Sequence, residues 1–150
     1  MLRKTGGGDL SQNEKYLSFK RAFGSINHYV SQNNFLAAYI IAFSILEDRL
    51  LASYIVCYKH KNKEDLSLRK LDNVSLSQLV HKLHYIKVID IDFVNQLIEL
   101  SEERNVLIHL MMWKLDEFNQ ESVDKVRSAI TKIEKCRRHF IKPPKPKKVK

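Results

Sequence analysis

The placement of glycine and proline constrains this chain more than any other feature. All three prolines lie beyond residue 142, and residues 9–142 contain a single glycine, Gly24. Folds built from many short strands need frequent tight turns, and glycine and proline supply most of them. A chain with so few of either residue is predicted to be all-α. Its 150 residues are enough to bury one core without disulfide or metal support.

Apolar residues at helical spacing, together with capping signals, predict five helices. Ser11–Glu14 and Ser75–Gln78 have the pattern of capping boxes, Asp90 or Asp92 is expected to cap the fourth helix, and Asn119 the fifth. The predicted spans are 12–30, 35–59, 75–86, 93–113 and 120–141, with residues 60–72 as a loop. The second helix is apolar on most faces, as a central helix should be. These lengths favour an up-and-down bundle of four to five helices.

The positive charge of the chain is concentrated at one end. Seven of the 26 basic residues lie between Arg137 and Lys150, and this segment contains no acidic residue. Residues 1–136 therefore hold 19 basic and 17 acidic residues, a net charge of only +2. Such a tail can attract phosphate backbones, although a solvated, disordered end is the simpler interpretation. The chain therefore divides into a flexible segment 1–10, a helical domain 11–141 and a basic disordered tail 142–150.

Cysteine usage and hydropathy indicate a cytoplasmic protein without a membrane segment. Cys57 and Cys136 are far apart, and no N-terminal signal segment is evident, so we expect reduced, buried thiols. The stretch Phe35–Cys57 has the length of a membrane helix, but Glu47, Asp48 and Arg49 interrupt it. The cost of inserting three charges cancels the gain from its apolar residues.

One cluster in the fourth helix carries a candidate chemistry. At about 100° per residue, Asn105 and His109 lie some 40° apart on one face. Arg104 lies roughly 140° from His109, but its long stem can carry the guanidinium back to the same groove. Val106, Leu107 and Ile108 are expected to hold the backbone rigid between them. A cation, an amide and an imidazole on a rigid scaffold suit phosphate chemistry.

The segment 103–109, Glu-Arg-Asn-Val-Leu-Ile-His, resembles the Arg-x(4–6)-His signature of the HEPN superfamily (higher eukaryotes and prokaryotes nucleotide-binding) in its Arg-Asn-x-x-x-His form. The stretch Ala42–Leu50 is also similar to that family, which often places an acidic or polar residue there, here Glu47. The resemblance covers roughly residues 14–140. One branch of the family continues its motif as His-x-Tyr, whereas Leu110, Met111 and Met112 follow here, which speaks against nucleotide attachment to a tyrosine at this position.

The resemblance implies a metal-independent ribonuclease, commonly a toxin of a toxin–antitoxin pair or an effector of anti-phage defence, that needs no cofactor. Such proteins typically form homodimers whose motifs face each other, and an antitoxin or regulatory protein is a possible partner. On this basis His109 is the candidate general acid or base, and Arg104 the group that stabilises the scissile phosphate. Asn105 would position a substrate oxygen or orient His109, and Glu47 would orient Arg104 or His109.

Other interpretations stay open at this stage. The chain could be a non-catalytic HEPN-like module for dimerisation or for binding nucleotide or RNA, with Arg104 merely paired to an acidic neighbour and His109 in the core. It could also bind nucleic acid chiefly through its tail. His81 and His84, with His60, lack the spacing of a metal site. Five tyrosines of the first two helices could stack bases, but we expect them to bury their rings at a helix seam or a dimer interface, with their hydroxyls reaching a rim; they are Tyr16, Tyr29, Tyr39, Tyr54 and Tyr58. Residues 111–113 are expected to close the bundle end.

Overall fold

The computed structural model describes residues 12–67, 71–110, 113 and 115–148. Within them the chain forms five α-helices and no strand, so the all-α prediction is confirmed. The helices are α1 (Gln12–Ser31), α2 (Phe35–Asn62), α3 (Leu76–Tyr85), α4 (Ile91–His109) and α5 (Gln120–Ile141), with a 3₁₀ turn at Leu115–Glu117.

The four long helices alternate in direction along the chain, so that α1 and α4 run antiparallel to α2 and α5. A three-residue turn reverses the chain between α1 and α2, and Phe19 near the start of α1 lies against Arg49 in the second half of α2. Side chains from the start, middle and end of α2 meet the corresponding parts of the α5 region, which makes these two helices parallel; the pairs are Tyr39 with Phe118, Arg49 with Glu134, and His60 with Phe140.

Helix α4 runs against both of them. Lys132, late in α5, sits over the ring of Phe93, which is early in α4. Arg104, late in α4, reaches Glu47 of α2. The short helix α3 packs on α2 and α4. The C-terminal end of α4 is thereby placed beside the N-terminal half of α2.

Local hydrogen bonds explain where the helices begin. Asn33 has a left-handed backbone, with φ of 56°, in the turn between α1 and α2. The side chains of Ser75 and Gln78 form the predicted capping box, with bonds of 3.1 and 3.0 Å. Asp90 caps α4 by accepting from the Phe93 amide at 2.8 Å. Asn119 caps α5 in the same way. Each cap satisfies backbone donors that the first helical turn leaves free.

The core lies where α2, α4 and α5 meet. Its largest fully buried side chains include Tyr39, Leu46 and Leu50 of α2, Phe93 and Leu97 of α4, and Ile130 and Ile133 of α5. Helix α2 contributes ten buried residues over its length, which agrees with its apolar sequence. Cys57 is buried and Cys136 half-buried, and both are free thiols.

Three sequence predictions need correction. Helix α4 ends at His109 rather than at Trp113, because the chain must leave the helix to bring Phe118 back against Tyr39. Trp113 is 82% exposed and does not close the bundle. Helix α2 continues to Asn62, three residues past the predicted end, where Lys63 takes a left-handed conformation. Residues 1–11, with Ser11 of the first capping box, and Met111 and Met112 lie outside the described residues.

Beyond Ile141 the chain leaves the last helix, as predicted. Residues 142–148 are exposed and carry Lys142, Lys145, Lys147 and Lys148. None of the helices in the described ranges is both long enough and apolar enough to cross a membrane.

Candidate functional site

A groove of about 340 Å³ runs between the N-terminal half of α2 and the C-terminal end of α4. It brings together all four residues that the sequence singled out, from positions up to 62 residues apart. The residues that line it are Tyr39, Ile40, Phe43, Ser44 and Glu47 from α2, and Arg104, Asn105, Ile108 and His109 from α4.

Arg104 is held on two sides by α2. Its Nη1 donates to Glu47 Oε1, and its guanidinium carbon lies 4.6 Å from the centroid of the Phe43 ring. The carboxylate fixes one edge of the guanidinium while the ring supports its face. The expected reach of the Arg104 stem into the groove is therefore observed, and Glu47 contacts Arg104.

Asn105 and His109 occupy the groove differently. Asn105 Oδ1 accepts a long hydrogen bond of 3.4 Å from Arg104 Nη2, so its amide lies beside the guanidinium. His109, the last residue of α4, is exposed, and no described residue forms a hydrogen bond with its imidazole. The interpretation of His109 as a core histidine is therefore wrong. An exposed imidazole that lines the same groove as a fixed guanidinium can exchange protons with a bound ligand.

Tyr39 forms the buried floor of the groove. It is only 1% exposed, and its hydroxyl has no hydrogen-bond partner among the described residues. Burial, aided by the Glu103 carboxylate and opposed by Arg104, raises the pKa of Tyr39 to about 12. The phenol is thus neutral over the whole range in which an imidazole titrates.

Two of the residues that line the groove are apolar and exposed. Ile40 and Ile108 are 45% and 43% exposed, and Val106 on the adjoining face of α4 is also exposed. Of the three apolar residues between Asn105 and His109, only Leu107 is buried, so the expectation that all three brace the helix is wrong for Val106 and Ile108. Exposed aliphatic side chains that cluster beside a polar groove are typical of contact surfaces.

The other histidines do not join this groove. His81 and His84 are exposed on α3, and the His60 ring packs against Phe140. Among the described residues, no three His, Cys, Asp or Glu side chains are grouped so that they could hold one metal ion.

Sequence reasoning missed the role of the α2 side of the groove. Tyr39, Phe43 and Glu47 follow one another at intervals of four residues, so they share a helix face. That spacing could have indicated the α2 side of the groove, because it places Tyr39 and Phe43 on the same helix face as Glu47. The tyrosine was expected instead to direct its hydroxyl to a rim; the structure buries it.

Comparisons of the chain with protein-family models, with characterised proteins and with solved structures found no match. The groove and the Arg104–His109 motif within it are therefore the features of the chain that point to a function.

Proposed function

We propose that this protein is a metal-independent endoribonuclease of the HEPN type, a toxin or anti-phage defence effector, whose site is the groove between α2 and α4. The observation that carries the proposal is the meeting of Arg104, Asn105, His109 and Glu47 in one groove, with the guanidinium fixed and the imidazole exposed. A structural ion pair alone would not need an exposed imidazole beside it.

The chemistry requires a base and an acid. A base takes the proton of the ribose 2′-hydroxyl, whose oxygen attacks phosphorus; the bond from phosphorus to the 5′-oxygen breaks, and an acid protonates that oxygen. The products are a 2′,3′-cyclic phosphate and a free 5′-hydroxyl. His109 exchanges one of these protons, and Arg104 stabilises the charge that develops on the phosphoryl oxygens.

A homodimer would complete this chemistry. One chain offers a single imidazole in the groove, whereas two facing grooves would offer one to accept a proton and one to donate it. The exposed side chains of Ile40, Val106 and Ile108 support such a pairing, since a second copy would bury them. The free thiols of Cys57 and Cys136 fit the reducing cytoplasm in which we place the protein.

The basic tail would serve substrate capture. It follows the end of α5, where Phe140 contacts His60, and that contact lies 13 residues along α2 from Glu47, or about 20 Å. The tail therefore begins about 20 Å from the groove along the bundle. We assign the tail a non-specific, salt-sensitive contribution to affinity and no part in bond cleavage.

The test uses purified protein, total RNA and EDTA, with products separated on a gel. The parent protein is expected to cleave, whereas the Arg104→Ala and His109→Ala variants are not. His84→Ala, which removes an exposed histidine of α3, is the matched control and should cleave like the parent. An oligonucleotide with a 2′-deoxyribose at the cut position should be resistant. Cleavage by His109→Ala at the parental rate would refute the assignment.

A mixing experiment tests the paired site. Parent and His109→Ala protein are combined at fixed total concentration and allowed to exchange subunits. If two imidazoles are needed, activity falls with the square of the parental fraction; if one suffices, it falls linearly. The linear result would contradict the shared site.

The alternative function is a non-catalytic module that dimerises or binds nucleotide or RNA. The observation that favours it is the pairing of Arg104 with Glu47, which neutralises much of the positive charge that a phosphate would meet. This alternative predicts RNA or nucleotide binding without cleavage by the parent protein, and binding that Arg104→Ala weakens.

A further inference from the structure

A second cleft, of about 460 Å³, opens beside the groove and shares two lining residues with it, Ser44 and Glu47 of α2. Glu47 is also the residue that accepts from Arg104. The cleft lies between α2 and the start of α3, and its other lining residues are Asp48, Leu51, Asn73, Val74, Ser75, Leu76 and Leu79. RNA held at Arg104 can therefore place a neighbouring nucleotide in this cleft.

The lining of the cleft suits a nucleobase better than a phosphate. Four of its residues are aliphatic: Leu51, Val74 and Leu76, which are half-buried, and Leu79, which is buried. Of the nine described residues that line it, two are acidic and none is basic. Carboxylates repel a phosphate, whereas an apolar pocket with a few polar groups is the usual site of a flat organic ring.

The side chain of Asp48 keeps an acceptor that the fold does not use. The side chains of Ser44, Glu47 and Ser75 already form hydrogen bonds within the protein. Arg49 donates to Asp48 Oδ2, whereas no described residue donates to Oδ1, and this side chain is 61% exposed. An ionised carboxylate accepts hydrogen bonds and donates none, so Asp48 favours an amino group and disfavours a carbonyl oxygen.

We propose that the cleft binds the base of the nucleotide next to the phosphate held by Arg104, and that Asp48 selects bases with an amino group at the pyrimidine 4-position or the purine 6-position. These bases are cytosine and adenine, and uracil carries a carbonyl oxygen at the corresponding position. The inference rests on the proposed function and adds a sequence preference to it. The amino group donates to Asp48 Oδ1, and the ring lies on the aliphatic residues of the cleft.

Binding is measured without cleavage, in the His109→Ala background, by the fluorescence anisotropy of labelled RNA trinucleotides. Each probe has uridine at both ends, so that its middle base adjoins both phosphates. The first pair of probes compares cytosine with uracil in the middle, and the second pair compares adenosine with inosine. Within each pair a carbonyl oxygen replaces the amino group. The probe with the amino group should bind about tenfold more tightly in both pairs.

Adding Asp48→Asn should abolish the preference in both pairs, because a carboxamide can donate to a carbonyl oxygen as well as accept from an amino group. The melting temperature should change little, since the ion pair of Asp48 with Arg49 is largely exposed. Arg49→Ala is the matched control. It removes the partner of Asp48 but leaves the carboxylate in place, so the preference should remain.

Three outcomes would overturn the inference: equal affinity within each pair, a preference that survives in Asp48→Asn, or a preference that is also lost in Arg49→Ala. Failure of the His109→Ala protein to bind any of the probes would overturn it as well. A preference that depends on Asp48, in a protein whose parent never cleaves RNA, would support the base subsite and count against the proposed ribonuclease. Cleavage that depends on His109 without any such preference would count against the base subsite alone.

Discussion

Replacing Arg104 by alanine should lower the cleavage rate far more than it lowers the stability of the fold. The Arg104→Ala variant loses an ion pair to Glu47 and a cation–π contact with Phe43. The two charged side chains are 31% and 45% exposed, so solvent screens the pair and its loss costs only about 0.5 kcal/mol. The contact with the ring adds about 1 kcal/mol. We therefore expect a destabilisation of about 1.5 kcal/mol, or roughly 3–6 °C in melting temperature.

Such a loss leaves the folded population nearly intact. A domain whose free energy of unfolding is at least about 5 kcal/mol stays more than about 99% folded after losing 1.5 kcal/mol. Removing the group that stabilises phosphoryl charge is expected to lower the cleavage rate by about 100-fold or more. Unfolding cannot explain a fall of that size, so the two effects are separable.

Arg49→Ala is the matched control. Arg49 also lies over a phenylalanine, Phe19, at 4.6 Å, and is outside the groove; it pairs with Asp48 and, at 4.0 Å, with Glu134. Melting curves and cleavage rates are measured for both variants. Similar stability with activity lost only in Arg104→Ala is the expected result. If Arg104→Ala kept a tenth or more of parental activity, or if Arg49→Ala lost as much, the catalytic argument would be wrong.

Three further predictions concern stability and the tail. Gly24→Ala should stabilise the protein by about 0.5–1 kcal/mol in a denaturant melt, because a Cβ there meets no atom within 4 Å inside α1; a loss of stability would contradict this. Deleting residues 143–150 should leave the maximal cleavage rate unchanged but weaken binding and flatten its salt dependence, and loss of cleavage at saturating RNA would show a catalytic role for the tail. The pKa of Tyr39 in the folded state lies above its unfolded value of about 10, so the neutral phenol favours the folded state. This contribution to the free energy of unfolding is fully present below pH 10 and is lost as the pH rises toward 12. Parent protein should therefore lose roughly 1 kcal/mol more than Tyr39→Phe between pH 9 and 11, and parallel stability profiles would refute the shift.

The bundle could be predicted from sequence because its determinants are local. The side chains of Ser75, Asp90 and Asn119 each accept from the backbone N–H three residues further on. The turn after α1 needs one residue with a left-handed backbone, Asn33. Helical periodicity likewise places Asn105 and His109 on one face. Such signals do not depend on which distant segment packs nearby.

The surroundings of the motif depend on packing, because the groove joins residues far apart in the chain. The contact between Arg104 and Glu47 spans 57 residues, and sequence offered several acidic partners for this arginine. The burial of the Tyr39 hydroxyl and the exposure of Ile108 depend on the direction in which α4 crosses α2. The end of α4 at His109 depends on the chain returning to Tyr39 through Phe118. Local sequence signals thus specify the helices and the motif, whereas the surroundings of the motif follow from packing, since burial and pairing are properties of the assembled bundle.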